Sequence, residues 1–294
     1  MAVAADTLGR VVQAALAEDV GAGDVTTEAV VPADALGTAE LLLKESGVVS
    51  GLDAAEAVFF TLDPEVQFEA LVEDGTFVEH TTVVAVVSGP LRAILTGERV
   101  ALNFLGRLSG IATLTRRYVD AVAGTDVAIL DTRKTTPGLR LLEKHAVACG
   151  GGRNHRFGLD DAVLVKDNHL AAAGSVRSAV ERLRKATDLP IEVECDTLGQ
   201  VSEALTAQVD ALLLDNMSPD DLIAAVALAK GQARLEASGG VTLDNVRTIA
   251  ETGVDEISIG ALTHSARSLD VSLELHEGTP GSPVSPLLKR KRAT

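Results

Sequence analysis

Aromatic residues and long hydrophobic runs are scarce in this chain of 294 residues. It contains no tryptophan, one tyrosine and six phenylalanines, although 46% of its residues are apolar. The core must therefore be built from many contacts between small aliphatic side chains. No segment approaches about 18 uninterrupted apolar residues, so we expect no membrane span. The N-terminal segment lacks the basic start and continuous apolar centre of a signal peptide, and it predicts an amphipathic helix.

Cysteine is scarce too. Cys149 and Cys195 lie 46 residues apart, with no CxxC pair and no spacing typical of metal ligands. This pattern predicts free thiols in a cytoplasmic protein. No cluster of histidine and cysteine in the sequence suggests a zinc site. The last stretch, 277–294, is rich in Pro, Gly and Ser and ends in a basic cluster, which predicts a disordered tail.

Positive charge is the third deficit, with 26 Lys and Arg residues against 42 Asp and Glu residues and a net charge of −16. The segment 131–156 reverses this balance with six basic residues, namely Arg133, Lys134, Arg140, Lys144, Arg153 and Arg156. Such a local reversal suits a small polyanionic ligand, or else it is an ordinary solvated face. A nucleic acid duplex is disfavoured because the negative surface around the segment would repel it.

The first part of the chain has the pattern of short strands and one helix. Segments 39–51, 66–78 and 81–90 carry short apolar runs separated by glycine turns, and 53–62 is typical of a helix. Apolar residues in 97–124 recur near helical spacing, which predicts one long helix, or two joined near Ser109 and Gly110. We therefore predict a small α/β domain at residues 1–108, a second domain at 109–276 and the tail at 277–294.

In the second domain, apolar strand candidates alternate with amphipathic helical stretches. The strand candidates are 127–131, 162–166, 191–194, 211–215, 235–238 and 256–260. Buried strands that alternate with helices indicate a parallel sheet. This periodicity fits both a doubly wound sheet and a (β/α) barrel.

The residues that end these strands favour the barrel. Nearly every strand ends on a polar, charged or glycine residue, in the order Asp131, Lys166, Glu194, Asp215, Ser238 and Gly260. In a (β/α) barrel the active site forms at the carboxyl ends of the strands, so these residues would meet at one mouth. We therefore predict a TIM-like barrel with its site at that end.

Several of these residues suit phosphate and metal chemistry. Lys166 is a candidate fixed cation or Schiff-base nucleophile, unless it is a surface lysine. Glu194 and Asp215 offer the oxygen ligands that Mg2+ prefers, or they balance nearby cations in ion pairs. The glycines after Ser238 and at Gly260 allow backbone N–H groups to approach a phosphate, at late strands where barrels often bind one.

The remaining cations suit a ligand with more than one carboxylate. Arg133 and Arg156 match planar carboxylates in a bidentate manner, and Lys134 adds a third charge. His155 belongs to this group or is a buried core histidine. Arg99 lies before the barrel and reaches the mouth only by folding back or from another subunit.

At these residues the sequence resembles the quinolinate phosphoribosyltransferase family. The matching runs are LAEDVGAGDVTT, ERVALNFLGRLSGIAT, DTRKTTPGLRLLEKHAVACGGGRNHRFGLDDAVLVKDNH, VECDTLGQVSEAL, LLLDNMSP, LEASGGVTLDNV and ISIGALTHSA. The resemblance implies an N-terminal α/β sandwich domain and a C-terminal, incomplete TIM-like (α/β) barrel, in a homodimer with shared active sites. It also implies transfer of phosphoribosyl from phosphoribosyl pyrophosphate to quinolinate with Mg2+, giving nicotinate mononucleotide, pyrophosphate and CO2 in NAD biosynthesis.

The resemblance further implies residue roles. Arg99 would reach the quinolinate of the neighbouring subunit. The residues implied to bind quinolinate are Thr132, Arg133, Lys134, His155 and Arg156. The residues implied in catalysis are Lys134, Lys166, Glu194 and Asp215, the last two also near Mg2+ and the ribose hydroxyls. The implied phosphate-binding residues are Ser238, Gly239, Gly240, Ile259, Gly260 and Ala261, with His264 near them.

Three other functions compete with this one. A related barrel phosphoribosyltransferase with another acceptor would share most of the site, although Arg133 and Arg156 argue against a neutral acceptor. A Schiff-base lyase would use Lys166 as its nucleophile. A non-catalytic protein that binds a phosphosugar would have no reason to keep both Glu194 and Asp215 at the mouth.

Overall fold

The computed structural model describes residues 5–276 of the chain, so the tail predicted at 277–294 lies outside the described residues. The elements up to residue 121 are, in chain order, α1 (Ala5–Val20), α2 (Val25–Val30), β1 (Leu36–Leu43), β2 (Gly47–Val48), α3 (Leu52–Leu62), β3 (Gln67–Ala70), β4 (Phe77–Val78), β5 (Thr82–Pro90) and α4 (Leu91–Ala121). The remaining elements are β6 (Ala128–Leu130), α5 (Arg140–Cys149), β7 (Val163–Val165), α6 (Asp167–Ala173), α7 (Val176–Ala186), β8 (Ile191–Cys195), α8 (Leu198–Thr206), β9 (Ala211–Asp215), α9 (Pro219–Ala229), β10 (Arg234–Ser238), α10 (Val246–Ala250), β11 (Glu256–Ser258), α11 (Ala261–His264) and β12 (Val271–Leu275).

The N-terminal domain is built on an antiparallel sheet in the order β12-β1-β5-β3, beside a small β2-β4 pair. Its strands carry aliphatic residues such as Leu41 and Val87 that are fully buried. Phe59 on α3 stacks on Phe68 of β3, with ring centroids 6.3 Å apart, and α3 also packs against α4. Aliphatic contacts and this aromatic pair therefore join the sheet to its helices.

Helix α4 is a single helix of 31 residues, so the alternative of two helices joined near Ser109 and Gly110 is wrong. Gly110 serves a close approach instead of a break. A Cβ atom at this position would lie 2.0 Å from the carbonyl oxygen of Arg267, in the segment that leads to β12. No helix in the described part of the chain is long and apolar enough to cross a membrane.

The second domain contains all six predicted strands, each within a residue or two of the predicted bounds. They form one parallel sheet in the order β6-β11-β10-β9-β8-β7. Consecutive strands from β7 to β11 are neighbours, and the first strand, β6, pairs with the last. This single winding is typical of a barrel and not of a doubly wound sheet.

The barrel is incomplete, as expected. Within residues 5–276, β6 and β7 do not pair with each other. The gap beside β6 is instead occupied by an isolated parallel bridge between Leu130 and Arg153. The segment that follows α5 is therefore built into the barrel wall beside the carboxyl end of β6.

The last strand leaves the barrel. β12 pairs antiparallel with β1, with Leu41 opposite Leu273. Residues 271–275 thus belong to the N-terminal sheet in space, although the predicted boundary placed them in the second domain. The chain consequently crosses between the two domains twice, once through α4 and once before β12.

Candidate active site

Lys166 and Glu194 meet at the carboxyl ends of β7 and β8. The Lys166 ammonium donates a hydrogen bond to Glu194 Oε2, and the two side chains are 44% and 15% exposed. The backbone N–H of Lys166 donates to His169 Nδ1 at 2.9 Å at the start of α6, which fixes the base of the side chain. The backbone of Lys166 is therefore fixed, while its ammonium group stays accessible to a ligand.

Asp215 lies beside Ser238, its partner in the β9–β10 register. Asn216, which the sequence analysis did not select, donates from Nδ2 to Asp215 Oδ2 at 2.7 Å and from its backbone N–H to the Ser238 carbonyl oxygen at 2.8 Å. Gly239 has φ +90, and a Cβ atom there would lie 2.2 Å from Asn216 Oδ1. Only glycine fits this close approach, so the Ser238–Gly240 loop is shaped by Asn216.

The two acidic residues keep oxygen atoms for a hard cation. Among the described residues, the hydrogen bonds to Glu194 and Asp215 engage Oε2 and Oδ2, and none engages Glu194 Oε1 or Asp215 Oδ1. Both residues are only partly buried. This set of carboxylate oxygens with access to water fits Mg2+, which keeps several water ligands and shares phosphate oxygens with its substrate.

A second part of the mouth forms around Gly260, after β11. A Cβ atom on Gly260 would lie 2.9 Å from the Lys134 side chain and 3.2 Å from His264 Nε2. Lys134 is held on both sides, because its N–H donates to Thr132 Oγ1 at 3.0 Å and its carbonyl accepts from Thr263 Oγ1 at 2.8 Å. The structure therefore brings together residues that the sequence separates by more than a hundred positions.

The two residues that flank Gly260, Ile259 and Ala261, differ in how far they are exposed at the mouth. Ile259 is 2% exposed, and its N–H donates to the Leu130 carbonyl at 2.9 Å. It therefore supports the loop from the core, and its predicted contact with a phosphate stays a prediction. Ala261 is half-buried and begins α11, next to Gly260.

Arg133 and Arg156 form a cationic pair. Burial lowers the pKa of Arg156, and the charge of Arg133 lowers it further. Arg156 Nη1 donates to the Ala162 carbonyl at 3.0 Å, whereas the buried Arg133 Nε has no hydrogen-bond partner in the part of the chain described. Two like charges held close together, one of them with an unpaired Nε, make a good site for an anion.

His155 faces the interior of the barrel. Its Nε2 atom lies 3.2 Å from Glu192 Oε2 and 3.3 Å from Glu236 Oε2, and both glutamates are buried. Burial alone would lower the pKa of His155, but the two carboxylates outweigh it and raise the pKa to about 10. Nδ1 lies 2.7 Å from the backbone nitrogen of Arg156. Both ring nitrogens face protein groups, and the predicted contact with quinolinate stays a prediction.

Glu192 and Glu236 were missed by the sequence analysis, although a signal for them exists. Each lies two residues before a predicted mouth residue on the same strand, Glu192 before Glu194 and Glu236 before Ser238. Because side chains alternate along a strand, positions two apart face the same side, here the barrel interior. A period-two search from the strand ends would have found both.

The strand-end residue Asp131 is not available to a ligand. It is completely buried and pairs with Lys144 of α5, which is also completely buried. Asp131 accepts further hydrogen bonds from Asn154 Nδ2 at 2.6 Å and from the His155 N–H at 2.9 Å. Asp131 and Lys144 therefore hold segment 131–156, which includes α5, in shape.

Arg99 lies elsewhere. It is exposed on α4 and lines a cleft of about 790 Å³ formed with α1, residues 137–142 and residues 268–271. Lys166, Glu194, Asp215 and the glycine loops do not line this cleft. Within one chain, Arg99 therefore lines a different cleft from these mouth residues.

Comparison with known proteins agrees with this geometry. The chain matches the models for the N-terminal and C-terminal domains of quinolinate phosphoribosyl transferase at residues 24–109 and 111–274. A Synechocystis protein named probable nicotinate-nucleotide pyrophosphorylase (carboxylating) is 49% identical over 265 residues, covering 88% of this chain and 90% of that protein. A Bacillus subtilis protein of the same name is 44% identical over 260 residues, with coverage of 88% and 90%.

Solved structures show the same relationship. The nicotinate-nucleotide pyrophosphorylase from Francisella tularensis has a TM-score of 0.90 and 39% sequence identity with this chain, and the match covers 94% of this chain and 98% of that one. Both domains and the order of all matching segments are thus shared. The chain belongs to the quinolinate phosphoribosyltransferase family.

Proposed function

We propose that this chain transfers the phosphoribosyl group of phosphoribosyl pyrophosphate to quinolinate and releases pyrophosphate and CO2, with nicotinate mononucleotide as product. The observation that carries this proposal is the arrangement of the mouth. The cationic pair Arg133–Arg156 lies at the same barrel end as the acidic residues Glu194 and Asp215. A dicarboxylate acceptor and a ribosyl donor need these opposite charges, and relatives at 49% and 44% identity carry the matching name.

Charge placement explains how the chain favours the reaction. Loss of pyrophosphate leaves positive charge on the ribosyl carbon, so nearby carboxylates stabilise the transition state. Glu194 and Asp215 are the carboxylates at the mouth. Lys166 and Lys134 are the cations that steady the substrate carboxylates and the departing phosphates.

The acceptor needs orientation more than activation. The ring nitrogen of quinolinate is unprotonated at neutral pH and attacks without a strong base. Once it is alkylated, its positive charge facilitates loss of the adjacent carboxylate, so the protein mainly fixes that carboxylate in place. A pair of guanidinium groups suits this task because each binds a planar carboxylate in a bidentate manner.

Mg2+ is the cofactor that we propose. Glu194 and Asp215 would hold it, through the oxygen atoms left without hydrogen bonds. When bound, Mg2+ neutralises charge on the pyrophosphate leaving group.

We propose a homodimer with shared sites, since Arg99 is exposed and lines a different cleft from the mouth residues of its own chain. An arginine in that position can serve a mouth only if another subunit presents it. We further propose a cytoplasmic location, which the two free cysteines support.

The decisive assay supplies quinolinate, phosphoribosyl pyrophosphate and Mg2+ and measures nicotinate mononucleotide and CO2. Nicotinate, which has one carboxylate, serves as the control acceptor. The value of kcat/KM should be lower for nicotinate than for quinolinate, by a factor that corresponds to about 2–5 kcal/mol of transition-state stabilisation. The reason is that nicotinate leaves a buried cation without its anion. Equal turnover of both acceptors would contradict the assignment of Arg133 and Arg156.

The shared site has its own test. R99A and K166A homodimers should both be nearly inactive. A mixed dimer has one site with both changes and one with neither, so it should regain up to about half of the wild-type activity. If purified mixed dimers regain nothing, Arg99 does not act across the subunits.

The alternative of a Schiff-base lyase has one specific test. The ion pair of Lys166 with Glu194 favours a role as a fixed cation. Treatment with borohydride in the presence of substrates should therefore leave no adduct on Lys166 by mass spectrometry. A trapped adduct would move the protein to the lyase class.

A further inference from the structure

A second group of reactive side chains lies away from the mouth, where the N-terminal domain meets the barrel. Asp74 is in the turn between β3 and β4, whereas His145 and Cys149 lie one helical turn apart on α5. His145 Nε2 is 3.4 Å from Asp74 Oδ2 and also 3.4 Å from Cys149 Sγ. The His145 and Asp74 side chains are 21% and 17% exposed, so an ion can reach them from solvent.

The carboxylate is fixed in place by the backbone. Asp74 Oδ2 accepts from the Gly51 N–H at 2.8 Å and Oδ1 accepts from the Leu52 N–H at 3.2 Å, at the start of α3. Gly75, with φ +93, packs against Cys149, because a Cβ atom there would lie 3.5 Å from the Cys149 carbonyl oxygen. Supporting hydrogen bonds of this kind orient the ligands of metal sites before the metal binds.

The two 3.4 Å distances from His145 Nε2, to Asp74 Oδ2 and to Cys149 Sγ, match the ligand spacing around a tetrahedral ion. Zinc bonds of about 2.0 Å to nitrogen and oxygen and about 2.3 Å to sulfur place ligand atoms roughly 3.3–3.6 Å apart. One N–H of His145 cannot donate well to both neighbours, and 3.4 Å is long for a hydrogen bond to oxygen. The ligand atoms of the three side chains all lie within 4.8 Å of one another.

We propose that Asp74, His145 and Cys149 form a binding site for a zinc-type transition-metal ion, with solvent as the fourth ligand. The thiolate and imidazole ligands select a borderline-soft ion over Mg2+. Because Asp74 belongs to the N-terminal domain and the other two ligands belong to the barrel, the ion joins the two domains. It has no part in the proposed transfer reaction.

The test uses the full chain after treatment with a chelator, and Co2+ is the spectroscopic probe. Wild type should bind one equivalent of Co2+ at this site, with a sulfur-to-cobalt charge-transfer band and the visible bands of a tetrahedral ion. Zn2+ should displace it. The absence of the sulfur band in wild type would overturn the proposal, whatever other Co2+ binding occurs at the carboxylates of the mouth.

Two variants and two controls complete the test. C149S should abolish the sulfur band, and D74N should weaken Co2+ binding at least tenfold while keeping the band. C195S, which changes the buried cysteine of β8, and D215N, which changes the mouth, should keep both the band and the affinity. Retention of the band in C149S would show that the thiolate ligand is another residue and overturn the proposal.

Thermal unfolding tests the same site without the absorption spectrum of Co2+. A ligand that binds only the folded state raises the melting temperature as its concentration exceeds the dissociation constant. Zn2+ should therefore stabilise wild type and C195S but not C149S. Equal stabilisation of wild type and C149S would place the bound ion elsewhere and contradict the proposed ligand set.

Discussion

The charged residues at the barrel mouth and those buried in the protein interior differ in how many hydrogen bonds and ion pairs they make within the protein. At the mouth, Lys166 is 44% exposed and Glu194 is its one ion-pair partner among the described residues. Inside, Lys144 and Asp131 are completely buried, and Lys144 Nζ also donates to the His155 carbonyl at 2.8 Å. Segment 131–156 contains both kinds of charged residue, with Arg133 at the mouth and Lys144 in the interior.

This difference separates charges that shape the protein from charges left for a ligand. Lys144 is committed to Asp131, and Arg140 donates to the Phe157 carbonyl at 2.7 Å and to Thr135 Oγ1 at 3.0 Å. Arg133, in contrast, keeps a buried Nε without a partner in residues 5–276. A charge without a protein partner is the one that a substrate can satisfy, so the incomplete pairing at the mouth indicates function.

The largest effect is expected from K144M. Burial raises the pKa of Asp131 even beside the lysine, so removal of the lysine leaves a buried carboxyl group without its partner. We expect a loss of about 3–5 kcal/mol in the free energy of unfolding, measured with urea. The conservative control is K144R, which keeps the charge. Unchanged stability in K144M would show that the interior pair does not hold the segment.

A large effect on activity with a small effect on stability is expected from K166A. Removal of a cation at the reacting centre should lower kcat/KM at least about a hundredfold. The free energy of unfolding should change by less than about 1 kcal/mol, because the ammonium group of Lys166 is accessible to water in the folded protein. K166R should retain more activity than K166A. A stability loss as large as that of K144M would remove the distinction between the two regions.

An intermediate effect is expected from E192Q. Two carboxylates raise the pKa of His155 to about 10, and this variant removes one of them. The pKa should fall toward its usual value, as measured by an NMR titration, with a loss of about 1.5–3 kcal/mol in stability at neutral pH. E194Q, two residues along the same strand but at the mouth, is the matched control and should leave the pKa of His155 nearly unchanged.

The pH dependence of E192Q follows from the sign of this shift. A folded-state pKa above the unfolded value of 6.5 gives stability that is complete below pH 6.5 and is lost as the pH rises toward about 10. Wild type should therefore lose stability over this range, and E192Q should lose less. If the free energy of unfolding of the two proteins changed with pH in the same way, Glu192 would not stabilise the charged imidazole.

The smallest effect is expected from E45Q. Hydrogen bonds from exposed Arg267, one of them 2.8 Å long, lower the pKa of Glu45 to about 2. A lowered pKa gives stability above the unfolded value of 4.5 that is lost as the pH falls toward 2. The difference between wild type and E45Q in the free energy of unfolding, measured with urea, should be small at neutral pH. It should shrink below pH 4.5 and vanish in high salt. A large difference that resists salt would show that exposed pairs matter here as much as buried ones.

The strands and their carboxyl ends were predictable because the signals are local. The buried strand that ends at Asp215 is a continuous apolar run followed by an acid, and β9 covers the predicted residues 211–215. Lys166 and Glu194 are also the last residues of predicted strands, and their meeting at one mouth required only the knowledge that the strands are parallel. The family resemblance gave the same two-domain architecture.

The sequence could not show which side chains contact each charged residue. It could not distinguish Lys144, which is buried, from Lys134, which is exposed, since both lie in the same polar segment. It also missed the cluster of Asp74, His145 and Cys149, because 71 residues separate Asp74 from His145 and only the packing of two domains brings them together. Contacts at such separations depend on the assembled fold and leave no periodic pattern.

By itself, then, the sequence determined the six parallel strands, the polar residues at their ends, the long helix before them and the family. These follow from hydrophobic periodicity and from motifs that act over a few residues. The tertiary structure alone decided that β12 returns to the N-terminal sheet, that His155 faces Glu192 and Glu236, and that Arg99 lines a different cleft from the mouth residues. The physical reason is that the cost of burying a charge depends on its partners, and those partners come from distant parts of the chain.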